Sequence, residues 1–195
     1  MDNLVLEIKR KLVHISSVFY IIIYCLIKEF FSQQAAILSL VFILICLSFL
    51  EFLRMKFNKE IPFFHQLYRE NERDTVSGSI YLLIGIIIAF SAFEFNIAVT
   101  AILMMIFGDT ASAIIGRLGK HKIDHLSRSW EGIAAEFIVD LVVGFILLNN
   151  VAIIIFMALI ATITETLLKP IDDNLAIPIV AGFAGQALMM LLGHL

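Results

Sequence analysis

The sequence predicts an all-α integral membrane protein that crosses the bilayer about seven times, with its N-terminus in the cytoplasm. Of its 195 residues, 61% are apolar and 16% are charged, and the mean hydropathy is +0.97. A soluble domain is usually about 45–50% apolar and about 25% charged. Because a chain of this length has no core large enough to bury so many apolar side chains, lipid must solvate them. The whole chain, residues 1–195, is therefore predicted to be one transmembrane domain.

Seven apolar runs account for the predicted helices, since a helix that crosses the bilayer needs roughly 20 apolar residues. In chain order they cover residues 13–31, 35–53, 77–93, 96–116, 132–148, 151–168 and 175–192. The first run follows three basic residues and is long enough to span, so we expect it to be retained rather than cleaved as a signal peptide. The third and fifth runs are short, and Gly108 and Asp109 interrupt the fourth.

The connections between the runs set the predicted orientation. Those after the first, third and fifth runs are short and cover residues 32–34, 94–95 and 149–150. Of the 14 lysines and arginines, only Lys28 lies on that side, and the others precede the first run or lie in the remaining connections. Such asymmetry places the basic side in the cytoplasm. We therefore expect the functional site on the cytoplasmic face.

Six ionisable residues lie within or at the ends of the apolar runs: His14, Glu51, Asp109, Glu136, Asp140 and Glu165. A charge in the middle of a membrane helix costs at least about 2.5–3.5 kcal/mol, so such residues are candidates for function. The predicted topology places each of them toward the cytoplasmic end of its helix. Glu136 and Asp140 are four residues apart and share one helix face.

Several carboxylates at one depth favour a divalent cation, because hard cations take oxygen ligands. We predict that Asp109, Glu136, Asp140 and Glu165 bind Mg²⁺ or another divalent cation. The alternative for Glu51 and Glu165 is an ion pair with a lysine or arginine at the membrane interface. Buried acids also serve proton or cation transport.

The connection between the fourth and fifth runs is basic and contains glycine. Its candidate phosphate-binding residues are Gly116, Arg117, Gly119, Lys120 and Lys122. The cations attract a polyanion, and the glycines allow the backbone to approach phosphate oxygens closely. The sequence has no Walker-type lysine motif, and a basic inner connection can also serve topology alone.

The start of the fifth run adds Arg128, Ser129, Glu131 and Gly132 to this candidate site. The N-terminus of a helix binds anions through its free N–H groups. Carboxylates that hold a metal beside a phosphate-binding loop are typical of phosphoryl or nucleotidyl transfer.

Polar residues also precede the last run, where Asp172, Asp173 and Asn174 follow one another. Asn174 is a suitable N-cap, but a cap accounts for only one of the three. The connection 54–76 is rich in both signs of charge, for which a solvated interfacial hairpin without a functional role is the simplest interpretation. Ser77, at its end, is expected to cap the next helix or to lie near a ligand.

The order of these motifs resembles the CTP-dependent polyprenol kinases, a family that comprises dolichol kinase, phytol kinase and the CTP-using diacylglycerol kinase. The segment "RKLVHISS" (10–17) is similar to the Arg-Lys-x-x-His sequence at the family's first helix. The segments "EFLR" (51–54) and "RENERDTVSGSIYLLIG" (69–85) follow in the family's order. The resemblance covers almost the whole chain.

The nucleotide motif is the most specific part of the resemblance. Its Asp-x-x-Ala-x-x-x-Gly-x-x-Gly-like pattern is matched, with the alanine one residue late, by Asp109, Ala113, Gly116 and Gly119. Residues 128–132 are similar to the family's Lys-(Ser/Thr)-x-Glu-Gly element, with arginine in place of the lysine. The family's closing signature, which the resemblance assigns to the nucleotide site, is matched by Glu165, Asp173, Asn174 and Pro178.

The resemblance implies that CTP donates its γ-phosphate to the hydroxyl of a membrane lipid alcohol, giving a lipid monophosphate and CDP. It implies that Asp109, with help from Glu136 or Asp140, holds Mg²⁺, while the basic connection and Arg128 bind the phosphates. The candidates for the base that takes the alcohol proton are Asp140, Glu136 and His14. Arginine at position 128 suits phosphate binding but not proton transfer.

Two other functions stay open on the sequence alone. A cytidylyltransferase that makes a CDP-lipid needs the same nucleotide, metal and membrane face, but it releases pyrophosphate rather than CDP. A small proton-coupled transporter predicts acids near the midplane and access from both faces, whereas these acids are expected toward one face.

The sequence does not specify the acceptor, because dolichol, phytol, geranylgeraniol and diacylglycerol each present one hydroxyl on an apolar body. The short chain favours a compact prokaryotic enzyme in the plasma membrane, and no nucleic-acid partner is expected. Gly144, Gly182 and Gly185 suit helix packing either within the chain or between the chains of a homo-oligomer.

Overall fold

The computed structural model describes residues 2–57, 76–123, 128–168 and 171–193, with side chains from Glu7 to Lys56 in the first range. Within these ranges the chain forms eight α-helices and one short hairpin, which confirms the all-α class. The helices are α1 (Asp2–Ser16), α2 (Val18–Phe30), α3 (Gln33–Phe57), α4 (Gly78–Ala92), α5 (Phe95–Leu118), α6 (Trp130–Leu147), α7 (Val151–Leu167) and α8 (Asp173–Gly193).

The hairpin precedes α6 and was not predicted. Its strands, β1 (Lys122–Ile123) and β2 (Arg128–Ser129), are antiparallel, with Lys122 opposite Ser129 and Ile123 opposite Arg128. Two residues per strand are too few for the alternating apolar pattern that identifies a strand in a sequence. The hairpin brings Arg128 back to the end of the helical bundle.

The predicted start of the first helix is wrong. The first helix begins at Asp2 rather than at residue 13, because charged residues of an amphipathic turn lower the local hydropathy without ending a helix. Only Ser17 separates α1 from α2, and the two together give the apolar stretch Glu7–Phe30. Helix α5 continues through Gly108 and Asp109 without a break.

Four helical stretches in the described part of the chain are long and apolar enough to cross a membrane: Glu7–Phe30, Gln33–Lys56, Phe95–Leu118 and Asp173–Gly193. Helices α4 and α7 are apolar but shorter, at 15 and 17 residues. Helix α6 has 18 residues and carries three acids. The count of seven spans and the cytoplasmic N-terminus stay predictions.

Helix α5 lies at the centre of the bundle, where it packs against α1, α4, α6, α7 and α8. Its residues Ala101, Ile102, Met104, Met105 and Ile106 are at most 1% exposed. Helix α3, in contrast, lies at the edge against α2 and α4 and presents large apolar side chains outward. An apolar outer surface of this kind is what lipid solvates.

The glycines considered for oligomer contacts pack within the chain. A Cβ on Gly144 would lie 2.6 Å from Ile154, and one on Gly185 would lie 2.4 Å from Met157. A Cβ on Gly182 would lie 2.4 Å from the ring of Phe93. These glycines therefore permit close helix packing inside the bundle and give no support for a homo-oligomer.

Glu51 links the end of α3 to the start of α4. Residues 58–75 of the intervening connection, for which an interfacial hairpin was considered, lie outside the described part of the chain. The buried carboxylate of Glu51 accepts hydrogen bonds from Arg54 at 2.7 and 2.9 Å and from the Ser77 N–H at 2.9 Å. The ion pair with a basic residue, which was the predicted alternative for Glu51, is therefore present and is made with Arg54. Ser77 is the N-cap of α4 by position, but its side chain makes no capping bond.

Replacing Glu51 by glutamine is expected to lower the free energy of unfolding by about 1–3 kcal/mol, because buried charged hydrogen bonds are lost. The midpoint of thermal unfolding in detergent micelles, followed by the fluorescence of the single tryptophan, measures the change. Glu29→Gln, at an exposed position of α2, is the matched control. Equal midpoints for the two variants would show that Glu51 does not hold α4.

Candidate active site

A cavity of about 530 Å³ lies where the junction of α1 and α2 meets α3 and the starts of α4 and α8. Its polar lining includes Lys11, His14, Glu51, Asp109, Asp172 and Asn174. Its apolar lining includes Phe19, Leu47, Leu50 and Leu82. Because Phe19 and Leu50 are also at least half exposed on the outside of the bundle, the apolar side continues to the outer surface.

Asp109 lies at the polar end of this cavity. Its Oδ2 is 2.5 Å from the Nζ of Lys11 and 3.4 Å from the Nε2 of His14. Lys11 and His14 lie one helical turn apart on α1 and so face the same residue of α5. The side chain of Asp109 is 19% exposed, which leaves it within reach of a ligand in the cavity.

A second cluster surrounds Arg128 at the end of the hairpin. The Nη1 of Arg128 pairs with Glu165, donates to the Ser112 hydroxyl at 3.2 Å and lies 3.7 Å from Glu136. Its Nη2 lies 3.6 Å from the carboxylate of Asp173. The guanidinium thus joins residues of α5, α6, α7 and α8. For Glu165, the predicted alternative of an ion pair with an arginine is therefore realised.

Asp140 does not lie where the sequence places it. It is the eleventh of the 18 residues of α6, roughly 15 Å from the helix start at 1.5 Å per residue, and therefore near the middle of the helix. It is fully buried, and a Cβ on Gly108 would come within 2.4 Å of its Oδ1. The expectation that every acid lies toward the cytoplasmic end of its helix is therefore wrong for Asp140.

The four predicted metal ligands occupy two places. Asp109 lines the cavity, whereas Glu136, Asp140 and Glu165 are at most 4% exposed and do not line it. Over the described ranges, no three acidic, histidine or cysteine side chains are arranged to hold one metal ion. The four carboxylates therefore do not fit one all-protein magnesium cage. Mg²⁺ is commonly held instead by one or two carboxylates together with substrate phosphates.

The glycines of the basic connection have structural partners. A Cβ on Gly132 would lie 2.9 Å from the Cα of Gly116, so α5 and α6 touch there backbone to backbone. A Cβ on Gly119 would lie 2.5 Å from the hydroxyl of Ser129 and 2.6 Å from the carboxylate of Glu131. Close packing accounts for all three glycines, and their contact with a phosphate stays a prediction.

The cations of the same connection also have partners. Arg117 pairs with Glu7 at 2.6 Å, and the Nζ of Lys122 donates to the Gly116 carbonyl at 2.6 Å. Ser129 caps α6 by accepting a hydrogen bond from the Gly132 N–H at 3.1 Å. The predicted anion site at the start of α6 is thus partly filled by the chain's own side chains.

The side chain of Glu131 accepts hydrogen bonds from the N–H groups of the turn before the hairpin. Its carboxylate accepts from the N–H groups of Lys120 and His121 at 3.0 and 3.1 Å and lies 2.7 Å from the His121 ring. It precedes the predicted span 132–148. Hydrogen bonds from its own N–H, from the His121 side chain and from the two turn N–H groups lower the pKa of Glu131 to about 2.

This lowered pKa predicts an acid-sensitive turn. The ordinary glutamate pKa is about 4.3, so the contact stabilises the folded protein above that pH and is lost as the pH falls toward 2. The amide NMR shifts of Lys120 and His121 in micelles are expected to titrate with a midpoint near 2. Glu131→Gln should abolish this transition. A midpoint at the ordinary glutamate value would contradict the contact.

The start of α8 differs from the predicted cap. The Asn174 N–H donates to the Asp172 side chain at 3.0 Å, and Asp172 also accepts from the Leu175 and Ala176 N–H groups through its carbonyl. Asp172 is therefore the capping residue, and Asn174 is the second residue of α8. Asp172 and Asn174 line the cavity, while Asp173 faces Arg128.

Two functional candidates were missed from the sequence. Lys11 is the ion-pair partner of Asp109, and Glu7 pairs with both Arg10 and Arg117. The spacing of three residues between Lys11 and His14 was the available signal, since it places both on one helix face. Lys11 and Asp109 are 98 positions apart in the sequence, so no local pattern shows their contact.

Comparison with known proteins gives three relatives. The chain is 29% identical over 146 residues to CTP-dependent diacylglycerol kinase 1 of Saccharomyces cerevisiae, covering 70% of this chain and 48% of that protein. It is 35% identical over 78 residues to the protein of the same name from Eremothecium gossypii, covering 39% and 25%. An uncharacterised protein of Methanocaldococcus jannaschii is 33% identical over 117 residues, covering 58% and 60%.

The chain thus spans about half the length of the Saccharomyces cerevisiae relative that it matches. No protein-family profile matches the chain. No solved structure matches it either.

Proposed function

We propose that the chain is a CTP-dependent lipid kinase, like the relatives named CTP-dependent diacylglycerol kinase 1, and that it transfers the γ-phosphate of CTP to the hydroxyl of a membrane lipid alcohol. The products are a lipid monophosphate and CDP. The observation that carries this proposal is the cavity in which Asp109, Lys11 and His14 face an apolar wall that continues to the outer surface.

The two sides of the cavity suit the two parts of a lipid alcohol. The apolar wall, with Phe19 and Leu50, offers an environment for a hydrocarbon chain that enters between helices from the bilayer. The polar end offers Asp109 and His14 to a hydroxyl. A prenol of the dolichol, phytol or geranylgeraniol type and a diacylglycerol are the proposed acceptors, since each combines one hydroxyl with an apolar body.

In the proposed reaction the lipid oxygen bonds to the γ-phosphorus while the bond to the β–γ bridging oxygen breaks and CDP leaves. The hydroxyl proton passes to a base within hydrogen-bond reach. Of the three candidate bases, His14 lines the cavity, whereas Glu136 and Asp140 are buried away from it. We therefore assign this role to His14. Lys11 would neutralise charge on the transferred phosphoryl group.

We propose that CTP binds at the end of the bundle where α6 and α8 begin. The guanidinium of Arg128 is 23% exposed there, and Lys120 and Lys122 are exposed beside the hairpin. These cations would contact the phosphates, and Asp173 would lie beside Arg128 at the edge of this site. The remaining residues of the proposed site shape it through their own contacts: Gly116, Arg117, Gly119, Ser129, Glu131, Gly132 and Asn174.

Mg²⁺ is proposed to accompany CTP and to supply charge neutralisation at the phosphates. Asp109 is the carboxylate that we propose to hold it, because of the four predicted ligands it is the one that lines the cavity. Because CTP is cytosolic, we also propose that this end of the bundle faces the cytoplasm of a prokaryotic cell.

A phosphoryl-transfer assay in detergent micelles tests the function. γ-Labelled CTP and ATP are supplied in parallel with Mg²⁺ and a panel of prenols and diacylglycerol. We expect label to move from CTP to one class of lipid, which also identifies the acceptor. Release of pyrophosphate with formation of a CDP-lipid would identify a cytidylyltransferase instead. Absence of any nucleotide-dependent product would overturn the proposal and favour a transporter.

A further inference from the structure

We propose that Glu136 and Glu165 are positioning residues that act through Arg128, and that they are not metal ligands. The inference rests on the proposed function, because the group that they position is the one proposed to bind the phosphates of CTP. Both acids are at most 4% exposed, and both face the same Nη1 of the guanidinium.

The two terminal nitrogens of Arg128 have different partners. Nη1 points into the bundle, where Glu165, Glu136 and Ser112 surround it. Nη2 points toward Asp173, whose side chain is 39% exposed. A planar guanidinium that is fixed through one nitrogen presents the other in a defined direction. The buried acids therefore orient the outer edge of Arg128 toward an incoming phosphate.

Arg128 also takes the place that a metal ion would take between these carboxylates. A divalent cation held by Glu136 and Glu165 would lie beside the guanidinium, and two like charges at contact distance repel strongly in a buried site. In the described chain this position is already occupied by a cation, because Arg128 pairs with Glu165 and lies 3.7 Å from Glu136. In this assignment Asp109 holds the metal ion, whereas Glu136 and Glu165 pair with Arg128.

The first test compares metal affinity with nucleotide affinity in Glu165→Gln. Binding of Mn²⁺ to the full-length protein, with and without CTP, is measured by electron paramagnetic resonance. We expect the Mn²⁺ dissociation constant to be unchanged, whereas loss of a metal-site group weakens metal binding by at least about tenfold. Weakened Mn²⁺ binding in this variant, with the exposed Glu94→Gln variant unaffected, would overturn the inference.

The second test asks whether Glu165 acts through Arg128. The KM for CTP is expected to rise by about tenfold or more in Glu165→Gln, because the phosphate-binding group loses its buried partner. In an Arg128→Gln background the same change should have no further effect on that KM. An equal effect in both backgrounds would show that Glu165 acts independently, and so would contradict the inference.

Stability supplies a readout that does not need activity. Arg128→Gln leaves the buried Glu165 and Glu136 without their cation, and Glu165→Gln leaves Arg128 with only the more distant carboxylates of Glu136 and Asp173. Arg128→Gln/Glu165→Gln instead removes both members of the closest pair. The double variant is therefore expected to unfold at a higher temperature than the less stable single variant, and additive losses would overturn the pairing. If the wild-type protein phosphorylates no lipid, the proposed function fails while Mn²⁺ binding and this cycle still decide the inference.

Discussion

Replacing Asp109 by asparagine is expected to lower kcat/KM for lipid phosphorylation by about 10²–10⁴-fold, the range typical of a group that acts directly in proton or phosphoryl transfer. Asparagine has nearly the same shape as aspartate but carries no charge. The substitution removes the carboxylate that faces Lys11 at 2.5 Å and His14 at 3.4 Å in the polar end of the cavity. The micelle assay with labelled CTP measures the loss.

Two controls separate this loss from unfolding. Asp109→Asn leaves the buried cation of Lys11 without its partner, and such a loss destabilises a protein by about 3–5 kcal/mol. Asp109→Asn/Lys11→Met removes both charges and is expected to recover stability but not activity. Glu94→Gln, at an exposed site on the opposite end of α5, should leave the rate unchanged. A folded Asp109→Asn protein with the wild-type rate would exclude Asp109 from the active site.

The helices were predictable because apolar length is a property of the sequence alone. Each run from 35–53 to 175–192 corresponds to one helix, from α3 to α8. The first helix begins earlier than predicted, because an apolar run indicates only the part of a helix that can cross the membrane. The polar turns that precede this part are helical as well. Gly108 interrupts the apolar pattern of the fourth run but not its helix. Its lack of a Cβ is required by the contact with Asp140 in another helix, which no local pattern shows.

Part of the chemistry of the site was also predictable from the sequence. A carboxylate inside an apolar run is visible in the sequence, so Asp109, Glu136 and Glu165 were identified as candidates. Their partners were not, because a partner is fixed by packing between helices that are far apart in the chain. Arg128 reaches Glu165 across 37 residues, and only the unpredicted hairpin places it there. A grouping by residue type therefore combined Asp109, which lines the cavity, with Glu136 and Glu165, which do not line it.

The contact between α5 and α6 leads to the second large effect. Replacing Gly132 by alanine is expected to destabilise the protein by about 1–3 kcal/mol, because the added methyl group overpacks a close contact. The new Cβ would lie 2.9 Å from the Cα of Gly116 and 3.0 Å from the Ser112 carbonyl oxygen. Both neighbours are backbone atoms, so no side-chain rotation relieves the clash and the helices must separate. Thermal unfolding in micelles measures the loss.

Gly193→Ala is the matched control, because a Cβ at that position meets nothing within 4 Å. Alanine favours a helix over glycine by about 1 kcal/mol, so this control should be neutral or slightly stabilising. Separation of α5 from α6 would also move Ser112 away from Arg128, which precedes Gly132 by four residues. The Gly132→Ala protein that remains folded is therefore expected to bind CTP more weakly, with a raised KM. Unchanged stability and KM would show that the α5–α6 contact does not position the hairpin.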